Sequence, residues 1–259
     1  MVKEWLYWYK AHQVNDGGIY DQEGVVGDYA VRIKDGKKWI DAEDSASSTY
    51  LMVLSLYTTI SGDVDILNDF VESIQLNYTI LAELIDPSDD LSIAKSDNPI
   101  KYLGDNIETY YGLKSAVSLF NKLNLPDDAN SAQLLLDSNG VALSRYWDSG
   151  LGYYGWAIDE NGVLSIGIDS PYPEHWANLF AATTIKNTPS TLWTTIESRL
   201  DTTAHQGWTY APLVAENAGA SHGQVTTLVN QVRAFGLQLD FVGAVYMEQP
   251  AQVIQVLGK

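Results

Sequence analysis

Apolar residues recur along most of this chain at helical spacing, and the breaks between those stretches alternate between short and long. Trp5, Leu6, Trp8, Tyr9 and His12 open the pattern, since apolar side chains three and four residues apart share one face of a helix. A second helix is predicted over residues 45–60, where Leu51, Val53, Leu54, Leu56 and Tyr57 form a face broad enough to be buried on more than one side. A third runs to about residue 85 on Ile66, Phe70, Ile74, Tyr78 and Leu81, after Gly62 closes the second and Asp63 caps the next. Further helices are predicted over 107–123 and from Pro126 toward Trp147. Others start at Ser170-Pro171 and Thr188-Pro189, and the last cover 211–217, 222–235 and 241–257. Short links fall at Ser61-Gly62-Asp63, at Asn124-Leu125-Pro126 and around Thr188, while long ones cover 14–44, 86–105 and 148–170.

Turn residues give the long links some structure. Asn15-Asp16-Gly17-Gly18 stops the first helix, and Asp35-Gly36 is predicted to turn a small hairpin that ends near Trp39-Ile40. Glu160-Asn161-Gly162 is predicted to turn another. If helical hairpins follow one another around a ring, this alternation places every long loop on one end. The expected architecture is therefore all-α, an (α/α) toroid of helical hairpins, complete or short of its full number, with small β-hairpins in the long loops. Nothing resembling a Pro-, Gly- or Ser-rich linker divides the chain, so a single domain over residues 1–259 is expected.

The segments Asp41-Ala42-Glu43-Asp44-Ser45 through Gly62-Asp63, and Tyr102-Leu103-Gly104-Asp105-Asn106-Ile107-Glu108-Thr109-Tyr110, resemble the six-hairpin glycosidase superfamily. Its members are (α/α)6 toroids whose long loops build a saccharide cleft. The family pattern places an acid before an inner helix, then small residues, an aliphatic run and Gly-Asp. Asp41 or Asp44 fills the first place here, and Gly62-Asp63 the last. A full toroid has twelve helices, whereas about ten are legible, and the glutamate motif that some cellulase-like members carry near the N-terminus has no counterpart.

Charge and composition narrow the chemistry. The 33 acids and 15 bases give a formal net charge of −18, a field that repels phosphate backbones and excludes nucleic acid as the expected partner. No stretch is apolar enough to insert in a membrane. Met1–Lys10 has no signal-peptide core, and the absence of cysteine suits an extracytoplasmic protein slightly better than a cytoplasmic one. The histidines, at 12, 175, 205 and 222, lack metal-ligand spacing, and Asp63-Val64-Asp65 lacks the rest of a calcium loop, so neither metal nor cofactor is expected.

The candidate chemistry is carboxylate chemistry, because hydrolysing a glycosidic bond needs one protonated carboxyl and one ionised one. Asp44 and Asp105 are the expected catalytic pair, with Glu108 as substitute. Asp41, Tyr110, Tyr154, Trp156 and His175 are expected to bind substrate. Each group also reads structurally: Asp44 or Ser45 as a helix cap, Asp105 and Glu108 as a capping box, and His175 as a packing residue. Tyr153, Tyr154 and Trp156 lie on a glycine-spaced loop where aromatic rings can face solvent and stack on sugar. The expected function is a carbohydrate-active enzyme, a glycoside hydrolase acting on an oligo- or polysaccharide. A saccharide-binding protein without activity and a polysaccharide lyase on the same fold are the alternatives, and the oligomeric state is left open.

Overall fold

The structure is a computed structural model that describes residues 2–14, 18–20, 22–25, 28–34, 36–185, 188, 191–196 and 220–238. The chain is largely α-helical, with eight α-helices and eleven short strands among those residues. It divides into two compact units, Met1–Leu143 and Ser144–Lys259.

The first unit is built from α1 (Val2–His12), α2 (Glu43–Ser61), α3 (Leu67–Leu84), α4 (Leu103–Lys122) and α5 (Pro126–Ala142). The short links are as tight as expected. Gly62 ends α2 at φ 70°, with its N–H on the Thr58 carbonyl, a left-handed conformation that glycine adopts without strain. Asp63 accepts the backbone N–H of Ile66 and so caps the turn that leads into α3. Asn124, at φ 55°, turns α4 into α5, and Pro126 sits at the start of α5.

Hydrogen bonds fix the helix directions. Lys122, at the end of α4, donates to Thr58 and Thr59 near the end of α2, so α2 and α4 run the same way. On the opposite course, α3 and α5 meet through Gln75 to Asp128 and Tyr78 to Ser131. Lys3 at the start of α1 reaches Asp63, so α1 also runs against α2. Both long loops of this unit therefore lie at the end where α2 and α4 begin. The core fills the space between the helices with Leu6 and Tyr9 of α1, Tyr50 and Leu54 of α2, Phe70 and Ile74 of α3, and Leu113 and Phe120 of α4, all at most 1% exposed. Each such side chain stabilises the fold by about 1.5–3 kcal/mol relative to exposure.

The described parts of the long loops are tied down by short strands and side chains. The first carries the antiparallel pairs β1 (Gln22–Val25) with β2 (Asp28–Val31) and β3 (Ile33–Lys34) with β4 (Lys37–Lys38), the second pair at the expected hairpin. The ammonium groups of Lys34 and Lys95 lie 3.9 and 3.6 Å from the centre of the Trp39 ring, so Trp39 ties the first loop to the second. The second loop carries β5 (Ile85–Asp86) paired with β6 (Leu91–Ser92), then β7 (Lys101–Tyr102). Lys101, 5% exposed, donates to Asp86 and Asp89, both at 2.7 Å, and holds the Asp86 carboxyl down to about 2. Lys101→Met should leave both acids beside an apolar stem and destabilise the protein by about 2 kcal/mol, read as a lower urea midpoint. Loss of the difference in an Asp86→Asn, Asp89→Asn background would confirm that the ion pairs cause it.

In the second unit, β8 (Trp147–Asp148) pairs with β9 (Tyr153–Tyr154), and β10 (Ala157–Ile158) with β11 (Leu164–Ser165). The latter hairpin turns where expected: Gly162 has φ 78°, and Asp159 accepts the N–H groups of Asn161 and Val163. A π-type turn at Pro171–His175 leads into α6 (Trp176–Thr184), followed by α7 (Thr191–Ile196) and α8 (His222–Gln238). The expected turn at Asn15-Asp16-Gly17, the start at Pro189 and the helices over 211–217 and 241–257 lie outside the described residues.

Candidate functional site

The site grows out of the close pairing of α2 and α4. Their contact faces carry Ser47, Ser48 and Thr109, all fully buried, and Gly112. A Cβ on Gly112 would come within 2.8 Å of the Ser48 Cα. Small residues thus let the backbones approach, and the approach brings the two helix starts together with their acids.

Those acids are Asp44 at the second position of α2, Asp105 at the third of α4, Glu108 one turn further along α4, and Asp41 just before α2. Asp44 is fully buried. Burial first, then the charge of Asp105 and, less strongly, that of Glu108 hold its carboxyl well above the usual range, against bonds from the Ser45 N–H and the Ser92 hydroxyl. Burial and the neighbouring Asp41 push Asp105 up to about 6. Crowding carboxylates out of water in this way favours their neutral forms.

Neither acid is a cap. The residue before α2 is Ala42 and that before α4 is Tyr102, and neither gives a side-chain cap. The capping-box reading of Asp105 and Glu108 fails because α4 begins four residues earlier than the pattern predicts, at Leu103, with Leu103 and Ile107 buried on one face. Both acids are therefore inside the helix, facing a shared region at (i, i+3) spacing.

A network of amides that sequence reasoning did not single out supports Asp44. The fully buried Asn106 accepts the Ser92 N–H at 2.7 Å and donates to the Ser92 carbonyl at 2.9 Å, as a neighbouring strand would. Asn139 of α5 donates to Asn106 at 3.3 Å and to the Asp90 carbonyl at 3.0 Å. Ser92 in turn places its hydroxyl 3.3 Å from Asp44 Oδ2. The available signal was an asparagine falling between apolar positions of the α4 face.

The same end of the unit opens a cavity of about 470 Å³ between Ile40, Glu43, Ile80, Leu84, Ile93 and Ser96. Glu43 is steadied there by the backbone N–H and hydroxyl of Ser96. Tyr110 takes a packing place, its ring against the core, Gly140 and Tyr111.

The other expected binding residues belong to the second unit. Tyr154 is 2% exposed, not solvent-facing as its glycine-spaced loop suggested. Asn178 grips its backbone at both ends, and its ring meets Trp147 with centroids 4.8 Å apart. Trp156 is half-buried, its backbone N–H on the Ser165 carbonyl. His175 is buried, with Nε2 on the Ile168 carbonyl. Glu174 accepts the N–H groups of Asp169 and Ser170 and packs on Gly167. Among the described residues no three His, Asp or Glu side chains form a group that could hold a metal ion, and no helix is long and apolar enough to cross a membrane.

Neither a family model nor a curated protein matches this chain.

Proposed function

We propose that the protein is a glycoside hydrolase, and that its helical hairpins continue the α1–α5 arrangement into an (α/α) toroid. The observation that carries this reading is the meeting of the α2 and α4 starts, which sets the half-buried Asp105 beside the exposed Asp41 and so pushes its carboxyl up to about 6. Cleaving a glycosidic bond requires a carboxyl still protonated near neutrality and an ionised one across the bond. Asp105, partly exposed, is the proton donor to the leaving oxygen. Asp41 is the second carboxylate, because it approaches from a different element, whereas Glu108 shares the helix of Asp105. Asp44 is too deeply buried to touch a saccharide. The cavity at the same end of the unit, which none of Asp41, Asp105 and Glu108 lines, has apolar walls that suit the C–H faces of a sugar ring and Glu43 for its hydroxyls. The net charge of −18 favours neutral or amino-sugar substrates.

Incubation with neutral, amino-sugar and acidic glycans, followed by mass spectrometry for new reducing ends, tests the proposal. Products should form with the wild type and disappear in Asp41→Asn. Tight binding of one glycan without products would replace the hydrolase with a saccharide-binding protein. Since the donor must carry its proton, kcat/KM should fall as pH rises through about 6. A kcat/KM profile with no alkaline limb near that pH would remove Asp105 from that role.

A further inference from the structure

The cavity of about 470 Å³ takes its apolar lining from Ile80 and Leu84 of α3, Ile40 of the first long loop and Ile93 of the second. Two carboxylates join them, Glu43 from the first turn of α2 and Glu83 from the last turn of α3. No lysine, arginine or histidine lines the cavity among the described residues. The two acids are not equally provided for. Glu43 stands at the positive end of its helix, and the N–H and hydroxyl of Ser96 reach its oxygens at 2.9 and 3.3 Å. Glu83 stands at the negative end of α3, where a cation is favoured, yet the last turn of that helix has no basic residue. It is exposed and makes no ion pair among the described residues. Lys95, the base next to Ser96, is already engaged by the Ile40 carbonyl, Asp97 and the Trp39 ring.

We infer that this cavity is a binding site for an organic ammonium, a protonated amine carried on a small apolar or ring-shaped body. The ammonium donates to Glu83 and Glu43, and the body packs on Ile40, Ile80, Leu84 and Ile93. The volume lies within the range of about 300–1,000 Å³ that small-molecule sites occupy. An ammonium has three donors and no acceptor, which suits a lining whose charged groups only accept. A carboxylate offers about four acceptor positions, so Glu43 can take a ligand N–H while it keeps Ser96. A neutral ring could fill the same space but would leave Glu83 unanswered. The net charge of −18 draws cations toward the protein in any case. A free amine and the amine of an amino sugar share this chemistry. In either form the inference goes beyond the hydrolase reading, because Asp41, Asp105 and Glu108 do not line the cavity and binding there needs none of them.

The test uses two matched pairs of probes, benzylamine with benzyl alcohol and glucosamine with glucose. Each is titrated into the full chain with 13C-labelled isoleucine methyl groups, at about pH 6.5, where both amines are protonated. The signals of Ile40, Ile80 and Ile93 should shift with at least one amine, while Ile74 and Ile107, buried in the core, stay in place. That amine should bind roughly tenfold more tightly than its neutral partner, and the pair with the larger preference tells a free amine from an amino sugar. Glu83→Gln, at an exposed position, should remove most of the preference, and adding Glu43→Gln should remove the rest. Three results would each overturn the inference. The first is no shift of these isoleucines with either amine. The second is equal binding of amine and neutral partner in both pairs. The third is a preference that survives both substitutions, which would assign it to the overall charge of the protein. The hydrolase proposal stands or falls separately, in the glycan assay with Asp41→Asn.

Discussion

Asp105→Asn should lower turnover roughly 10²–10⁴-fold and at the same time make the folded protein more stable at neutral pH. The first effect follows from removing the proton donor while keeping its shape. The second follows from the direction of the shift. In the unfolded chain the Asp105 carboxyl titrates near 3.9, and in the folded protein at about 6. Below about pH 4 both states hold the proton and the residue costs nothing. Between about 4 and 6 only the folded state holds it, so stability falls as pH rises through that window, and above it the full penalty remains. Two pH units would amount to nearly 3 kcal/mol. Allowing for the part of the carboxyl that meets water, a gain of about 1–2 kcal/mol in the variant at pH 7 is expected. Urea unfolding of both proteins at pH 7 and near pH 4 gives the answer: the advantage should be present at the first and absent at the second. Equal midpoints at pH 7 would mean that the fold does not hold the Asp105 proton.

Gly112→Val should cost about 3 kcal/mol or more, the upper part of the range for overpacked interiors, seen as a fall in Tm of roughly 10 °C. The added Cβ would meet Ser48 at Oγ, Cβ and Cα, at 2.7, 2.8 and 2.8 Å. Rotating the serine side chain cannot relieve a collision with its Cα, so α2 and α4 must separate. That glycine is kept in mid-helix at a propensity cost of about 1 kcal/mol argues for how much the close approach matters. Ser48→Gly should recover only part of the loss. The variant also connects packing to chemistry, because moving the helices apart separates their first turns. The Asp105 titration should then fall toward the ordinary carboxylate range in whatever fraction remains folded. A Tm within a degree of wild type would show that the interface has slack.

The helix boundaries that the sequence predicted well are those with a local chemical cause. Gly62, Asn124 and Pro126 end or begin helices whatever surrounds them, and the alternation of short and long links follows from these residues alone. The grouping of Asp44 with Asp105 was legible for the same reason, since both stand at helix starts on the long-loop end. The start of α4 was not, because Leu103 and Gly104 carry no cap signal and are drawn into the helix by burial against its neighbours. Tyr154 was misplaced for a related reason: a glycine-spaced loop permits exposure, but Asn178, 24 residues away, ties its backbone inside. Ser92 gave no sign at all. A serine at the end of a two-residue strand is unremarkable until Asn106, 14 residues on, grasps it.

Asn106 also makes the second long loop part of the helix's own fate. Loops ordinarily open and close independently of the elements they join, exchanging their amide hydrogens quickly as they do. The Ser92 amide hydrogen is instead held by a side chain that projects from the first turn of α4, within a fully buried set that Asn139 fastens to α5. Releasing it means withdrawing Asn106, and withdrawing Asn106 means unwinding the start of α4. The loop segment around Ser92 therefore belongs to the same cooperative unit as the two helices, and the acids placed there are held with the rigidity of a core rather than the freedom of a surface.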